Sequence, residues 1–124
     1  MSNVPGNLQY SKDHEWVEGS GARVKIGITD YAQGALGDIV YVQLPKVGDT
    51  VTEGLVCGEI ESTKSVSELF SPVSGKVVAV NDALDSAPET LNSDPYGAGW
   101  IAEIEVSSPS TELMDAAAYS ALIG

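Results

Sequence analysis

The sequence predicts a mostly β domain of many short strands with helices at the periphery. Three observations predict it. Short alternating or β-branched runs recur, as in Ala22-Arg23-Val24-Lys25-Ile26-Gly27-Ile28 and Ile39-Val40-Tyr41-Val42-Gln43-Leu44. The chain is rich in turn residues, with 13 glycines and 6 prolines in 124 residues. Helical spacing is confined to a short stretch before Gly37 and to the C-terminus.

Taken in order, residues 22–28 alternate apolar and polar and read as a half-buried strand. Thr29 and Asp30 then offer helix caps, with Gln33 three residues after Asp30. Tyr31 to Leu36 form a short helix that Gly37 can end. Residues 39–44 are a β-branched strand, Pro45 and Gly48 bracket a turn, and Val51 and residues 55–61 continue as extended pieces. Val66 to Phe70, then Lys76 to Val80, are further strands, separated by Pro72 and Gly75. Val47-Gly48-Asp49-Thr50-Val51 and Ser74-Gly75-Lys76-Val77-Val78 resemble each other weakly, suggesting two similar halves around a central hairpin. Asn81 to Gly99 has little periodicity and reads as an ordered surface loop; its scattered acids lack EF-hand spacing. Trp100 to Val106 is a last strand with Trp100, Ala102, Ile104 and Val106 on one face. Ser108-Pro109 starts a helix whose core stripe is Leu113, Met114, Ala117, Ala118, Ala121 and Leu122. The length predicts one domain, 1–124, with a core over about 8–106 and a C-terminal helical segment at 109–123.

Charge narrows the partners. Eighteen acidic and six basic side chains give a net charge of -12. A polyanion repels nucleic acid and anionic lipid, and attracts basic partner surfaces. One cysteine, Cys57, excludes an intrachain disulfide; it lies in an apolar run and reads as a small buried hydrophobe. One Cys and one His (His14) are too few soft ligands for zinc. The first residues have no basic n-region or apolar h-region, and no apolar run approaches the ~20 residues needed to span a bilayer. The expected compartment is the cytoplasm.

Lys64 is the most informative residue. It is the one cation between Lys46 and Lys76, set among Glu61-Ser62-Thr63-Lys64-Ser65 with strand-like segments on both sides. That pattern predicts an exposed hairpin tip, reachable by another enzyme. It is the geometry a covalent attachment site needs, and also that of an ordinary solvated turn lysine; these residues alone leave both open. A nucleophilic lysine needs burial or a neighbouring cation, yet the nearby charges are Glu59, Glu61 and Glu68. His14-Glu15 is an acid–base pair in composition, but neighbours on a strand point to opposite faces. There is no nucleophile elbow and no Gly-rich phosphate loop.

Across nearly its whole length the chain resembles the glycine cleavage system H proteins, a family of lipoyl carriers. The blocks that carry the resemblance are Tyr10 to Trp16 (YSKDHEW), Ile26 to Gly37 (IGITDYAQGALG), Leu44-Pro45 and Val47-Gly48. They continue with Glu61-Ser62-Thr63-Lys64, Ser71-Pro72-Val73-Ser74-Gly75, Val80-Asn81, Leu91-Asn92-Ser93, Pro95-Tyr96 and Gly99-Trp100-Ile101. The attachment turn Thr63-Lys64-Ser65 differs from the Met-Lys-Met of biotin carriers.

The resemblance implies a barrel-sandwich hybrid of two packed antiparallel sheets, of the lipoyl/biotinyl-carrier type, with short peripheral helices and a C-terminal helix. It implies lipoic acid in amide linkage to Lys64, no catalytic residues and no metal. It implies a shuttle that takes the aminomethyl group from glycine decarboxylase (the P protein) to aminomethyltransferase (the T protein). Dihydrolipoamide dehydrogenase (the L protein) then reoxidises the dithiol, and a lipoyl ligase or lipoyl/octanoyl transferase attaches the group. The alternative it allows is a lipoyl relay or H-like paralogue supplying 2-oxoacid dehydrogenases. In the family the loaded arm folds into a surface cleft. Glu15 and Glu68 match positions near that cleft, Glu68 standing where aspartate is common, and Asp13 is a third candidate.

Overall fold

The computed structural model describes residues 3–19, 21–108, 110 and 112–123. The alternating segments become strands and the glycine- and proline-marked positions become their turns. The strands are β1 (Gln9–Tyr10), β2 (Glu15–Glu18), β3 (Arg23–Ile28), β4 (Ile39–Gln43), β5 (Thr50–Val51), β6 (Val56–Ser62), β7 (Val66–Phe70), β8 (Ser74–Val80) and β9 (Ala102–Ser108). The helices are α1 (Asp30–Leu36), α2 (Ala83–Ser86), α3 (Thr90–Ser93) and α4 (Ala116–Ile123).

All the strand pairings are antiparallel. One sheet runs in the order β1-β2-β3-β9-β8-β5 and the other in the order β4-β6-β7. The inward residues of both sheets share one core: Val24, Ile26, Val77 and Ile104 from the first pack with Val42, Ile60 and Leu69 from the second. Fully burying such a side chain contributes about 1.5–3 kcal/mol, so this shared core fixes which face of each sheet points inward. The two similar segments around the central hairpin meet as β5 and β8, with Thr50 opposite Lys76 and Val51 opposite Gly75.

Helix α1 follows its sequence signals. Thr29 caps it, its hydroxyl accepting the Ala32 N–H at 3.2 Å. Gln33 does not close a capping box; its amide donates to the Asp30 carboxylate at 2.7 Å. Gly37 ends the helix at φ 85°, ψ -156°, a backbone region open essentially to glycine alone.

Three expectations are corrected. The stretch between Asn81 and Gly99 contains two one-turn helices, which bury Leu84 and Leu91 at 1% and 0% exposure. One leucine per turn anchors each helix, so no periodicity accumulates. The last strand begins at Ala102, and Ile101, on the face expected to be outward, is fully buried. The C-terminal helix starts at Ala116, not after Ser108, which closes β9; Pro109 lies outside the described residues. Met114 exchanges both backbone hydrogen bonds with Tyr10, at 2.7 and 2.8 Å, which holds that segment extended. The late start rotates the buried face. Ala116, Tyr119 and Ile123 pack into a second cluster with Tyr10, Trp16 and Leu8, while Ala117, Ala118, Ala121 and Leu122 are exposed.

Candidate functional site

Lys64 stands at the tip of the β6–β7 hairpin, where Glu61 and Val66 are the last paired residues. Serine closes the turn: the Ser62 N–H donates to the Ser65 carbonyl at 2.8 Å, and the Ser62 hydroxyl accepts from the Lys64 and Ser65 N–H groups at 3.2 Å. The Thr63 N–H donates to the Asp38 carbonyl at 3.0 Å, tying the tip to the α1–β4 loop. Lys64 is exposed, and its ammonium has no ion-pair partner among the described residues. Its stem lies over Gly37, where a β-carbon would stand 3.3 Å from Lys64 Cε.

The support under this loop is Asn92, which sequence reasoning placed only within a matching block. Its carbonyl oxygen accepts the Ile39 N–H at 2.9 Å, and its amide donates to the Gly37 carbonyl and the Gln33 side chain, both at 2.9 Å.

A cleft of about 180 Å³ lies between α1 and the β6–β7 sheet. Tyr31, Ala32, Ala35 and Leu36 of α1 form one wall; Ile60, Ser67, Glu68 and Leu69 form the other. Asp13, His14 and Glu15 line it as well, so all three acids singled out in the sequence meet in one cleft. Leu36 in that cleft directly precedes Gly37, the residue under the Lys64 stem.

The acids differ in kind. Glu68 is exposed on β7. Glu15 is 3% exposed, and burial pushes its carboxyl up to about 8. The Ser11 hydroxyl, 2.5 Å from Glu15 Oε1, and a backbone bond from Phe70 pull the other way, while Asp13 adds to the rise. The cleft therefore holds one group that is mostly protonated at neutral pH beside one that meets solvent.

The strand argument that separated His14 from Glu15 also needs correction. His14 precedes β2 at φ 69°, and both residues line the same cleft. They do not bond to each other; His14 Nδ1 lies 2.9 Å from the Tyr119 hydroxyl. Tyr119 was missed because it acts from the other end of the chain.

Cys57, half-buried on β6, has its thiol pushed up to about 12, chiefly by burial and then by Glu15, so it is an inert thiol at neutral pH. Among the described residues no group of three or more His, Cys, Asp or Glu is arranged to hold a metal ion. No helix among them is long and apolar enough to cross a membrane.

A reachable lysine thus stands on a braced hairpin beside a cleft that pairs apolar walls with three acids. The family model described as glycine cleavage H-protein matches residues 8–124. The chain is 61% identical over 123 residues to the glycine cleavage system H protein of Myxococcus xanthus, covering 98% of this chain and 95% of that one. It is 57% identical over 120 residues to the glycine cleavage system H protein of Beutenbergia cavernae, covering 97% and 96%. The crystal structure of a glycine cleavage system H protein from Mycobacterium marinum superposes with a TM-score of 0.92 at 46% identity, covering 98% of this chain and 99% of that one. By sequence and by fold, the chain belongs to the glycine cleavage H-protein family.

Proposed function

We propose that Lys64 bears the lipoyl group, in amide linkage, and that the cleft lined by Asp13, Glu15 and Glu68 receives the loaded end of the arm. The family makes the chain a lipoyl-bearing shuttle of the glycine cleavage system, a carrier component and not a catalyst. The observation that carries the site assignment is the exposed Lys64 tip with its stem laid on Gly37, next to Leu36 of the cleft wall. The residues present suit such a group. The lysine is accessible to a modifying enzyme, and the cleft pairs apolar walls of Ile28, Ile60, Leu36 and Leu69 with acids.

The chemistry a lipoyl group supplies is a disulfide that accepts a one-carbon amine unit as it is reduced and can be reoxidised afterwards. The chain's own residues hold and shelter that load. The apolar walls exclude water. An amine arriving beside Glu15 would draw the carboxyl proton off, because a cation within a few ångströms favours the carboxylate. Ser11 then donates to the charge that forms. Glu68 gives a second anionic contact at the solvent edge.

The partners in this reading are glycine decarboxylase, aminomethyltransferase and dihydrolipoamide dehydrogenase, with a lipoyl ligase or lipoyl/octanoyl transferase for attachment. The chain works as one lipoyl-carrier domain in the cytoplasm. A lipoyl relay to 2-oxoacid dehydrogenases is not favoured, since the similar proteins bear the name of the cleavage system. The test is a reconstituted glycine cleavage assay. Lys64→Arg should fold and give no turnover, and full turnover by that variant would refute the assignment.

A further inference from the structure

His14 is the one histidine in the chain. Its ring lines the arm cleft and packs against Tyr31 of α1, centroids 4.8 Å apart. Its Nδ1 is 2.9 Å from the hydroxyl of Tyr119, on α4. That hydroxyl is 2.8 Å from Thr29 Oγ1, the N-cap of α1. The Tyr119 ring is itself fixed, stacked on Tyr10 with centroids 4.7 Å apart.

Counting protons orders this chain. Thr29 is fully buried, and its oxygen already accepts the Ala32 N–H. Among the described residues its hydroxyl proton has one acceptor within reach, the Tyr119 oxygen. Tyr119 therefore accepts from Thr29 and donates its own proton to His14 Nδ1. A ring that accepts at Nδ1 carries its proton on Nε2 and is neutral. Protonating Nδ1 would set two donors against each other.

We propose that Tyr119 is a positioning residue of the arm cleft: it holds His14 as the neutral Nε2–H imidazole, so that the cleft wall offers no competing cation to a protonated amine on the arm. The inference rests on the functional reading above and extends it from the acids to the histidine between two of them. The groups facing His14 are Asp13 and Glu15 on its own segment, Tyr31 from α1, Tyr119 from α4 and Glu68 across the cleft on β7. Burial holds the imidazole below its ordinary value of 6.5, with Asp13 opposing. The C-terminal helix thereby controls the charge of a cleft it does not line.

The experiment is nitrogen-15 NMR of the single imidazole, on the full unmodified chain and again on lipoylated protein. Wild type should show the Nε2–H tautomer at neutral pH and a titration midpoint below 6.5. Tyr119→Phe keeps the ring stack and removes the donor; it should show mixed tautomers and a midpoint moved upward. Thr29→Ser keeps the donor and should behave as wild type. An Nδ1–H tautomer in wild type, or an unchanged spectrum in Tyr119→Phe, overturns the proposal. On loaded carrier, acidification should release the arm from the Ala32–Leu36 wall along the His14 titration, at higher pH in Tyr119→Phe. Release that ignores that titration also overturns it. Failure of Lys64 to accept lipoate would instead strike the functional reading, because the tautomer is read on unmodified chain.

Discussion

The stem of Lys64 rests on Gly37, so close that a β-carbon at Gly37 would stand 3.3 Å from Lys64 Cε. The contact joins the hairpin tip to the end of α1, and it exists because Gly37 both ends the helix at φ 85° and leaves room above itself. Presentation of the lysine is thus built into the α1–β4 loop as well as into the hairpin.

Gly37→Ala should be costly on both counts. A non-glycine residue in this backbone region is strained by on the order of 1–3 kcal/mol, and the new methyl also displaces the lysine stem. Urea unfolding should show that loss, and lipoylation of the surviving folded protein should be slower than wild type. Unchanged stability would show that the loop relaxes around the methyl.

Asn92→Ala removes three hydrogen bonds and leaves the Ile39 N–H, on a residue 3% exposed, without its partner. An unsatisfied buried donor costs about 1–3 kcal/mol. Hydrogen exchange should quicken at Gly37 to Ile39 ahead of the sheets. Uniform destabilisation without local exchange would contradict the brace.

Much of this was legible in the sequence where the interaction is local. The helix signals Thr29 and Gly37 and the lone Lys64 between two strand-like runs act within a few residues, and each becomes the expected feature. The contacts that finish the site are distant. Asn92 reaches Ile39 across 53 positions, and Tyr119 reaches His14 across 105. No periodicity encodes such pairs. The C-terminal stripe misled for a related reason: Met114 pairs with Tyr10, so the helix starts late and turns Tyr119 inward. The protonation of Glu15 was invisible because it depends on burial by both sheets.

Glu15 makes stability depend on pH. Its folded-state affinity for a proton is raised, from 4.5 to about 8. A raised value means the native state keeps a proton that the unfolded chain has lost. The resulting stability is complete below about 4.5 and is lost as pH climbs toward about 8. Glu15→Gln, which never ionises, should flatten that slope, gaining on wild type by on the order of a few kcal/mol near pH 8. Parallel melting curves for the two proteins from pH 5 to 8 would contradict the buried, protonated assignment.

The net charge of -12 should speed encounters with basic faces of the partner enzymes. Such steering is screened over about 8 Å at physiological ionic strength. Stopped-flow association rates should fall as salt rises. Rates flat across the salt range would assign docking to apolar contacts.

The central claim is that Lys64 is the attachment site, and peptide mapping by mass spectrometry after treatment with a lipoyl ligase tests it most directly. The account predicts one added lipoyl group per chain, all of it on the peptide containing Lys64, and none on Lys64→Arg. Modification at Lys46 or Lys76 with Lys64 bare would contradict it.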